Sequence, residues 1–249
     1  PVVVISPDIT DKDYLAERGF RFIDQALNRE NYRDVLDAVV EKGDFIVNRS
    51  VNVSSLALMA YAHQKDALYI DTCIEPWEGT YDGAHLTSAE RCNYALREQV
   101  LELRRQLGQG PTAVTAHGAN PGLVSHFMKE ALVELAQKLE LDMPRSDTGE
   151  VLWGELARAL KVRVVHIAER DTQRSRKIKA DDEFVNTWSV DGFVSEGGQP
   201  AELGWGTHEE KWPEEARRHA EGCGSAIYLE RPGASVQVRT WTPNGGPCK

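Results

Sequence analysis

Over residues 1–121, short β-branched runs alternate with stretches whose apolar positions recur at helical spacing, the pattern of βαβ units around a parallel sheet. Val2–Ile5, Phe20–Ile23, Phe45–Asn48, Ala67–Ile70 and Ala113–Ala116 predict strands. Lys12–Glu17, Tyr32–Glu41, Ser54–Gln64 and Ser88–Leu107 predict the helices between them. In the last of these, Ala89, Tyr94, Leu96, Val100, Leu103 and Leu107 supply an apolar stripe, with Arg and Glu outside it. The loop Gly118-Ala-Asn-Pro-Gly122 turns into a helix over Ser125–Leu139. Beyond Pro144-Arg-Ser-Asp-Thr-Gly149 the pattern changes. A short helix over Trp153–Leu160 precedes a strand over Arg163–Ala168. Sequence richer in Gly and Trp then carries strand-like runs at Phe184–Trp188, Ala226–Leu229 and Ser235–Arg239. The expected class is α/β, with a parallel-sheet domain over 1–121 and an α+β domain over 122–249.

Composition leaves that picture intact. With 41% apolar and 27% charged residues and no low-complexity tract, the chain is ordinary globular protein, long enough to bury a core. No apolar run approaches the ~20 residues of a membrane span, and the start has neither a basic n-region nor a signal-like apolar stretch. Cys73, Cys92, Cys223 and Cys248 are scattered, without a CxxC pair or a local Cys/His cluster, so the expectation is a reduced, cytoplasmic protein with no metal. A net charge of −10 argues against nucleic acid as the main partner and suits a cationic ligand. Pro1 leads straight into an apolar run, and the end from Trp241 to Lys249 stops among turn-forming residues, which predicts an internal piece of a longer protein.

Candidate chemistry gathers in four places. Polar residues end three strands, at Ser6-Pro7-Asp8, Asn48-Arg49-Ser50 and Asp71-Thr72. Ligands of doubly wound sheets bind at carboxyl edges, although any α/β chain carries polar strand ends, and no G-x-G-x-x-G loop occurs here. Glu75-Pro76-Trp77 either packs a turn or sets a carboxylate beside an aromatic to grip an ammonium group. In His166–Arg174, strand alternation puts Glu169 on the face of Val165 and Ile167. A carboxylate on an apolar face is costly unless paired, so Glu169 is either bridged to an arginine or kept for a cationic ligand. Trp188 is either core or a face for an ammonium group, an attraction of ~1 kcal/mol exposed and ~2 or more desolvated. Glu196 follows among small residues that let a ligand approach, whereas Trp205 and Trp212 read as packing. Cys73 and His117 come close to strand ends, but no G-x-S-x-G elbow positions a nucleophile.

Longer runs carry a resemblance. Gly19-Phe-Arg-Phe-Ile, Ala67-Leu-Tyr-Ile-Asp-Thr, Glu75-Pro-Trp, Asn93-Tyr-Ala-Leu-Arg-Glu, Gly118-Ala-Asn-Pro-Gly and His166-Ile-Ala-Glu-Arg-Asp-Thr-Gln-Arg come first in order. Phe184-Val-Asn-Thr-Trp-Ser-Val, Gly192-Phe-Val-Ser-Glu-Gly, Gln199-Pro-Ala-Glu-Leu-Gly-Trp-Gly-Thr, Gly222-Cys-Gly and Arg239-Thr-Trp-Thr-Pro follow. Across nearly all of 2–243 these stretches resemble the homospermidine synthases of the saccharopine-dehydrogenase-like group.

That resemblance implies a Rossmann-like NAD-binding domain, whose first strand and glycine-rich loop would precede Pro1, and an α+β substrate-binding and dimerisation domain. It implies a homodimer and NAD-dependent aminobutyl transfer from putrescine, or spermidine, to putrescine through imines, the same NADH being reused. Catalytic roles would fall to Glu169, Trp188, Glu196 and Asn120. Glu75, with Glu169, Trp188 and Glu196, would bind the polyamine, and Ser6, Asn48, Ser50, Thr72 and Asn120 would line the cofactor. Two departures stand out. Ser6 occupies the strand end where the family usually carries an Asp for the adenosine ribose, with Asp8 two residues on, which leaves NAD against NADP open. The tail Asn244–Lys249 diverges. Two other readings stay open: a carboxynorspermidine- or saccharopine-type dehydrogenase, disfavoured by a site of Glu and Trp, and an inactive polyamine-binding fragment.

Overall fold

The computed structural model describes residues 1–80, 85–165, 167, 172, 174, 176–183, 185, 190–206, 209 and 211–237. They fall into two compact units, Pro1–Leu86 with Ala95–Ala116, and Thr87–Tyr94 with His117–Lys249. Among the described residues no helix is long and apolar enough to cross a membrane.

The first unit holds strands β1 (Val3–Ser6), β2 (Arg21–Asp24), β3 (Phe45–Asn48), β4 (Leu68–Asp71) and β5 (Ala113–Val114). Helices α1 (Lys12–Glu17), α2 (Tyr32–Asp37), α3 (Ser55–Lys65) and, from Ala95 onward, α4 (Asn93–Leu107) connect them. Every pairing among these strands is parallel, as the alternation predicts. The strands form two sheets, β1-β2 and β3-β4-β5.

α3 shows why the sequence folds locally as it does. Ser54 accepts the Ala57 N–H at 3.3 Å as an N-cap, and the helix stops at Asp66 in a left-handed conformation. Its Leu58, Met59, Tyr61 and Ala62 pack with Tyr32, Leu36, Val53, Ala67 and Tyr69 into the core of the unit. That core covers one face of the β3-β4-β5 sheet. Phe45, Val47, Leu68 and Val114 share the other face by register and are exposed.

α4 begins later than its apolar stripe predicts. Thr87 and Glu90 close a capping box, in which Glu90 accepts the Thr87 N–H at 2.8 Å and Thr87 accepts the Glu90 N–H at 3.3 Å. The continuous helix starts only at Asn93.

The second unit contains α5 (Leu123–Lys138), α6 (Trp153–Ala159) and α7 (Val190–Gly198). Its antiparallel sheet has the order β6 (Pro200–Gly204), β8 (Ala226–Pro232), β7 (Ala216–Arg218). Leu132, Ala136 and Leu156 form one core, and Ala216, Ile227 and Leu229 another. Trp205 and Trp212 pack edge to face at 4.9 Å, in keeping with their reading as packing residues.

Three expected strands need correction or lie outside the description. Arg163, Val164, Val165 and Ile167 belong to no strand, and the three aliphatic residues are exposed, because alternation alone supplies no ladder partner. Of Phe184–Trp188 only Val185 is described, again outside any strand. Ser235 ends a 3-10 turn, and Val236 and Gln237 are not in a strand.

Candidate active site

The carboxyl edge of the β3-β4-β5 sheet is built from a buried hydrogen-bond chain. Parallel register sets Asn48 opposite Asp71, at the ends of β3 and β4. The Asn48 amide donates to the Tyr69 hydroxyl at 3.0 Å, and Tyr69 donates to Asp71 at 2.9 Å. The other Asp71 oxygen accepts the backbone N–H of Ala116 at 2.6 Å. On the outer side Asn48 accepts from both the N–H and the hydroxyl of Ser50. Asn48 and Asp71 are 6% and 1% exposed, so a satisfied network is the only affordable arrangement there. Burial pushes the Asp71 carboxyl above its ordinary range, against the opposing pull of the Ala116 N–H and the Tyr69 and Ser55 hydroxyls. Of the predicted cofactor residues on this edge, Asn48 is buried within the network, Ser50 is exposed but bonded to Asn48, and Thr72 stands exposed at the end of β4.

Glu75 is anchored through its main chain to the first residue of α3. Its N–H donates to the Ser55 hydroxyl at 3.0 Å and its carbonyl accepts the Ser55 N–H at 2.8 Å. The same hydroxyl donates to the Cys73 carbonyl at 3.3 Å. One serine thus shapes the loop from Cys73 to Glu75 and leaves Glu75 8% exposed. Trp77 takes the packing alternative, its ring 5.4 Å from that of Tyr32 at the margin of the core. Ser6 lies at the end of β1, in the other sheet, where its hydroxyl accepts the Asp8 N–H at 3.0 Å. Asp8 is held below the usual carboxylate range by bonds from the hydroxyl and N–H of Thr10.

Asn120 belongs to the second unit, exposed in a turn closed by main-chain bonds. The Gly118 N–H donates to Pro121 at 2.8 Å, the Leu123 N–H to Gly118 at 2.9 Å and the Val124 N–H to Ala119 at 3.1 Å. Gly122 has φ +128, and a Cβ there would stand 2.4 Å from the Gly118 carbonyl oxygen, so only glycine fits. Close by, the rings of His117 and His126 meet edge to face at 5.3 Å.

Glu196 is exposed on α7, in the same unit. Glu169 and Trp188 lie outside the described residues. Sequence reasoning missed Tyr69 and Ser55, and listed Asp71 only as a strand end. The usable signal was parity: Tyr69 and Asp71 alternate with Leu68 and Ile70, which places both on the core side of β4.

Residues 1–114 match the family described as saccharopine dehydrogenase NADP binding domain, and residues 118–245 its saccharopine dehydrogenase C-terminal domain. The chain is 52% identical over 245 residues to the homospermidine synthase of Blastochloris viridis, covering 97% of this chain and 51% of that protein. It is 46% identical over 250 residues to the homospermidine synthase of Mesorhizobium japonicum, covering 98% and 51% respectively. Its structure is similar to that of a homospermidine synthase from Legionella pneumophila in complex with NAD, with a TM-score of 0.77 and 42% identity over 98% of this chain and 50% of that one. The chain spans about half the length of the relatives it matches. With a family match across each of its two parts and homospermidine synthases as homologues along nearly its whole length, this chain belongs to the saccharopine dehydrogenase family.

Proposed function

We propose that the chain supplies the cofactor edge and part of the polyamine site of a homospermidine synthase. The observation that carries this reading is its colinear identity of 52% with a protein of that name over 97% of its residues. The domain boundary at 121/122, the homodimer and the cytoplasmic setting belong to the same reading.

The substrate is putrescine, a short dication, which needs a carboxylate near each ammonium group and an apolar or aromatic wall along its methylenes. Glu75, Glu169 and Glu196 serve as the carboxylates and Trp188 as the wall. Asn120, presented by the turn that Gly122 closes, hydrogen-bonds the reacting amine or the nicotinamide region. Loss of a hydride from the amine-bearing carbon and of a proton from its nitrogen leaves an imine. The amine of a second putrescine adds to the imine carbon and ammonia leaves. Return of the hydride to that carbon gives the secondary amine, so that two putrescines become homospermidine and ammonia. NAD, when bound, supplies the hydride acceptor and donor. The protein residues hold the two amines in line and exclude water from the imine.

The residues present fit the ribose end of such a cofactor. A Ser6 hydroxyl and the ionised Asp8 at the end of a parallel strand suit ribose hydroxyls and repel a 2′-phosphate, which favours NAD over NADP. Thr72 offers a hydroxyl at the end of β4, and the Ser50 hydroxyl, which donates to Asn48, can accept a further bond after β3. The test is to incubate the full-length protein with putrescine and NAD and to separate the products by chromatography. Homospermidine with equimolar ammonia and no net NADH is expected; no homospermidine rejects the reading.

A further inference from the structure

We propose that Cys92, Glu202 and His219 form a binding site for a borderline-soft divalent cation of the zinc type, within the second unit and independent of the polyamine chemistry. Cys92 lies more than a hundred positions before Glu202 and His219, so no ligand-spacing motif announces the set. Folding brings one ligand atom from each to within 4.8 Å of the others. Cys92 comes from the segment before α4, Glu202 from β6 and His219 from just beyond β7.

Three observations favour a cation over a purely structural cluster. The first is chemical: thiol, imidazole and carboxylate together are the donor set of zinc and its neighbours, whereas calcium and magnesium take oxygen alone. The second is metric. His219 Nε2 and Glu202 Oε1 are 3.9 Å apart, beyond a hydrogen bond but close to what an ion at about 2.0–2.2 Å from each would span. The third is support around the ligands. The Glu202 oxygens are oriented by the N–H groups of Asn93 and Tyr94, at 3.0 and 2.9 Å. The His219 ring stacks on Tyr94 at 4.3 Å and leans on Tyr228 at 4.9 Å. The Tyr94 hydroxyl is itself fixed by the Gly224 N–H at 2.9 Å and the Glu221 carbonyl at 3.2 Å. Hydrogen bonds behind a ligand, as on Glu202, orient it in metal sites.

Capping of α4 explains a carboxylate at 202. It does not explain why the Cys92 thiol, which donates to the Ser88 carbonyl at 3.3 Å, and the shielded imidazole of His219 both lie within reach of the same carboxylate. The side chains of His219 and Glu202 are 5% and 20% exposed and Cys92 is buried, so the three ligand atoms are shielded from bulk water. On binding, the ion replaces the thiol proton of Cys92, releasing it to solvent as a thiolate–metal bond forms. The ion then ties the segment before α4 to the β6-β8-β7 sheet.

The experiment uses the full-length protein, purified without chelator, analysed for zinc, then stripped and titrated with Co²⁺. One zinc per chain is expected, and Co²⁺ should give a thiolate-to-cobalt charge-transfer band. Cys92→Ser should abolish that band, Cys73→Ser and Cys223→Ser should retain it, and His219→Gln should weaken Co²⁺ binding at least tenfold, the usual cost of disturbing a site. A wild-type protein that gives no such band overturns the site, as does a band that survives Cys92→Ser. If Cys92→Ser does not fold, His219→Gln decides: unchanged Co²⁺ affinity and spectrum overturn the site.

Discussion

Asp71 accepts the backbone N–H of Ala116 at 2.6 Å, which joins the end of β4 to the point where the chain leaves β5. Ala116 has φ +53, a left-handed conformation that costs a non-glycine residue roughly 1–2 kcal/mol. A hydrogen bond to a carboxylate contributes about 1.5–3 kcal/mol and offsets that strain. Asp71→Ala leaves both the Ala116 N–H and the Tyr69 hydroxyl without this acceptor. It should destabilise the protein by about 2–4 kcal/mol, read from urea unfolding at neutral pH. A loss under ~0.5 kcal/mol would mean that the bond is incidental.

The same carboxylate predicts a pH dependence. Its folded pKa is raised, chiefly by burial, so between the unfolded value of about 3.9 and the folded one the native state holds the extra proton. This contribution to stability is fully present below about pH 3.9 and is lost as pH rises through the folded pKa. Asp37 acts in the opposite sense, its pKa being lowered by Lys65 and Tyr61. The informative quantity is therefore the difference between wild type and Asp71→Asn. Unfolding free energies measured from about pH 4 upward should show that difference changing with pH; parallel curves would refute the assignment.

Gly122→Ala should cost about 2–4 kcal/mol, from backbone strain plus overpacking. The new Cβ would meet the oxygen and nitrogen of Gly118 at 2.4 and 2.6 Å, and neither backbone atom can swing aside. Gly149 also has positive φ, at +85, but its Cβ would meet nothing within 4 Å. Gly149→Ala should therefore cost only about 1–2 kcal/mol. Thermal or urea melts that rank the two variants the other way would be incompatible with this geometry.

Under the polyamine reading, Trp188→Leu in the full-length enzyme removes a cation–π contact worth about 1–2 kcal/mol, or roughly 5- to 30-fold in kcat/KM for putrescine. Trp188→Phe should recover part of the loss. Glu75→Gln and Glu196→Gln should each raise KM by tenfold or more, since charge-assisted bonds are worth about 1.5–3 kcal/mol. Steady-state kinetics with putrescine would check all four, and an unchanged KM removes the residue from the binding site.

The open face of the β3-β4-β5 sheet also has a measurable signature. Parallel sheets are ordinarily covered on both sides, yet Phe45, Val47, Leu68 and Val114 lie exposed on one. Expressed as these 249 residues, the chain should bind the apolar dye ANS, and Phe45→Thr with Val47→Thr should cut the signal by at least half. Equal fluorescence from both proteins would mean that the dye sits elsewhere.

Much of the first unit was legible because its strands are compact β-branched runs between helices with clear periodicity. All five expected strands are found within a few residues of their predicted places. The second unit was less legible for specific reasons. α7 carries Gly192, Gly197 and Gly198, which mask a helix, and β7 is Ala-Arg-Arg, without apolar alternation. Arg163–Ala168 looks like a strand in isolation, but a ladder is a relation between two segments. The same logic applies to the site. Ser6, Asn48, Ser50 and Thr72 could be named from strand ends alone. The Tyr69–Asp71 network needed the register that sets Asn48 beside Asp71.

Among the described residues, the turn from Gly118 to Gly122 closes on main-chain bonds, with no side-chain hydrogen bond contributing to its closure. Its shape is therefore separable from the chemistry displayed on it. A different residue at position 120 would inherit the same perch, aimed the same way. Under the polyamine reading, such a socket is a place where selection can change a reaction without rebuilding the fold that carries it.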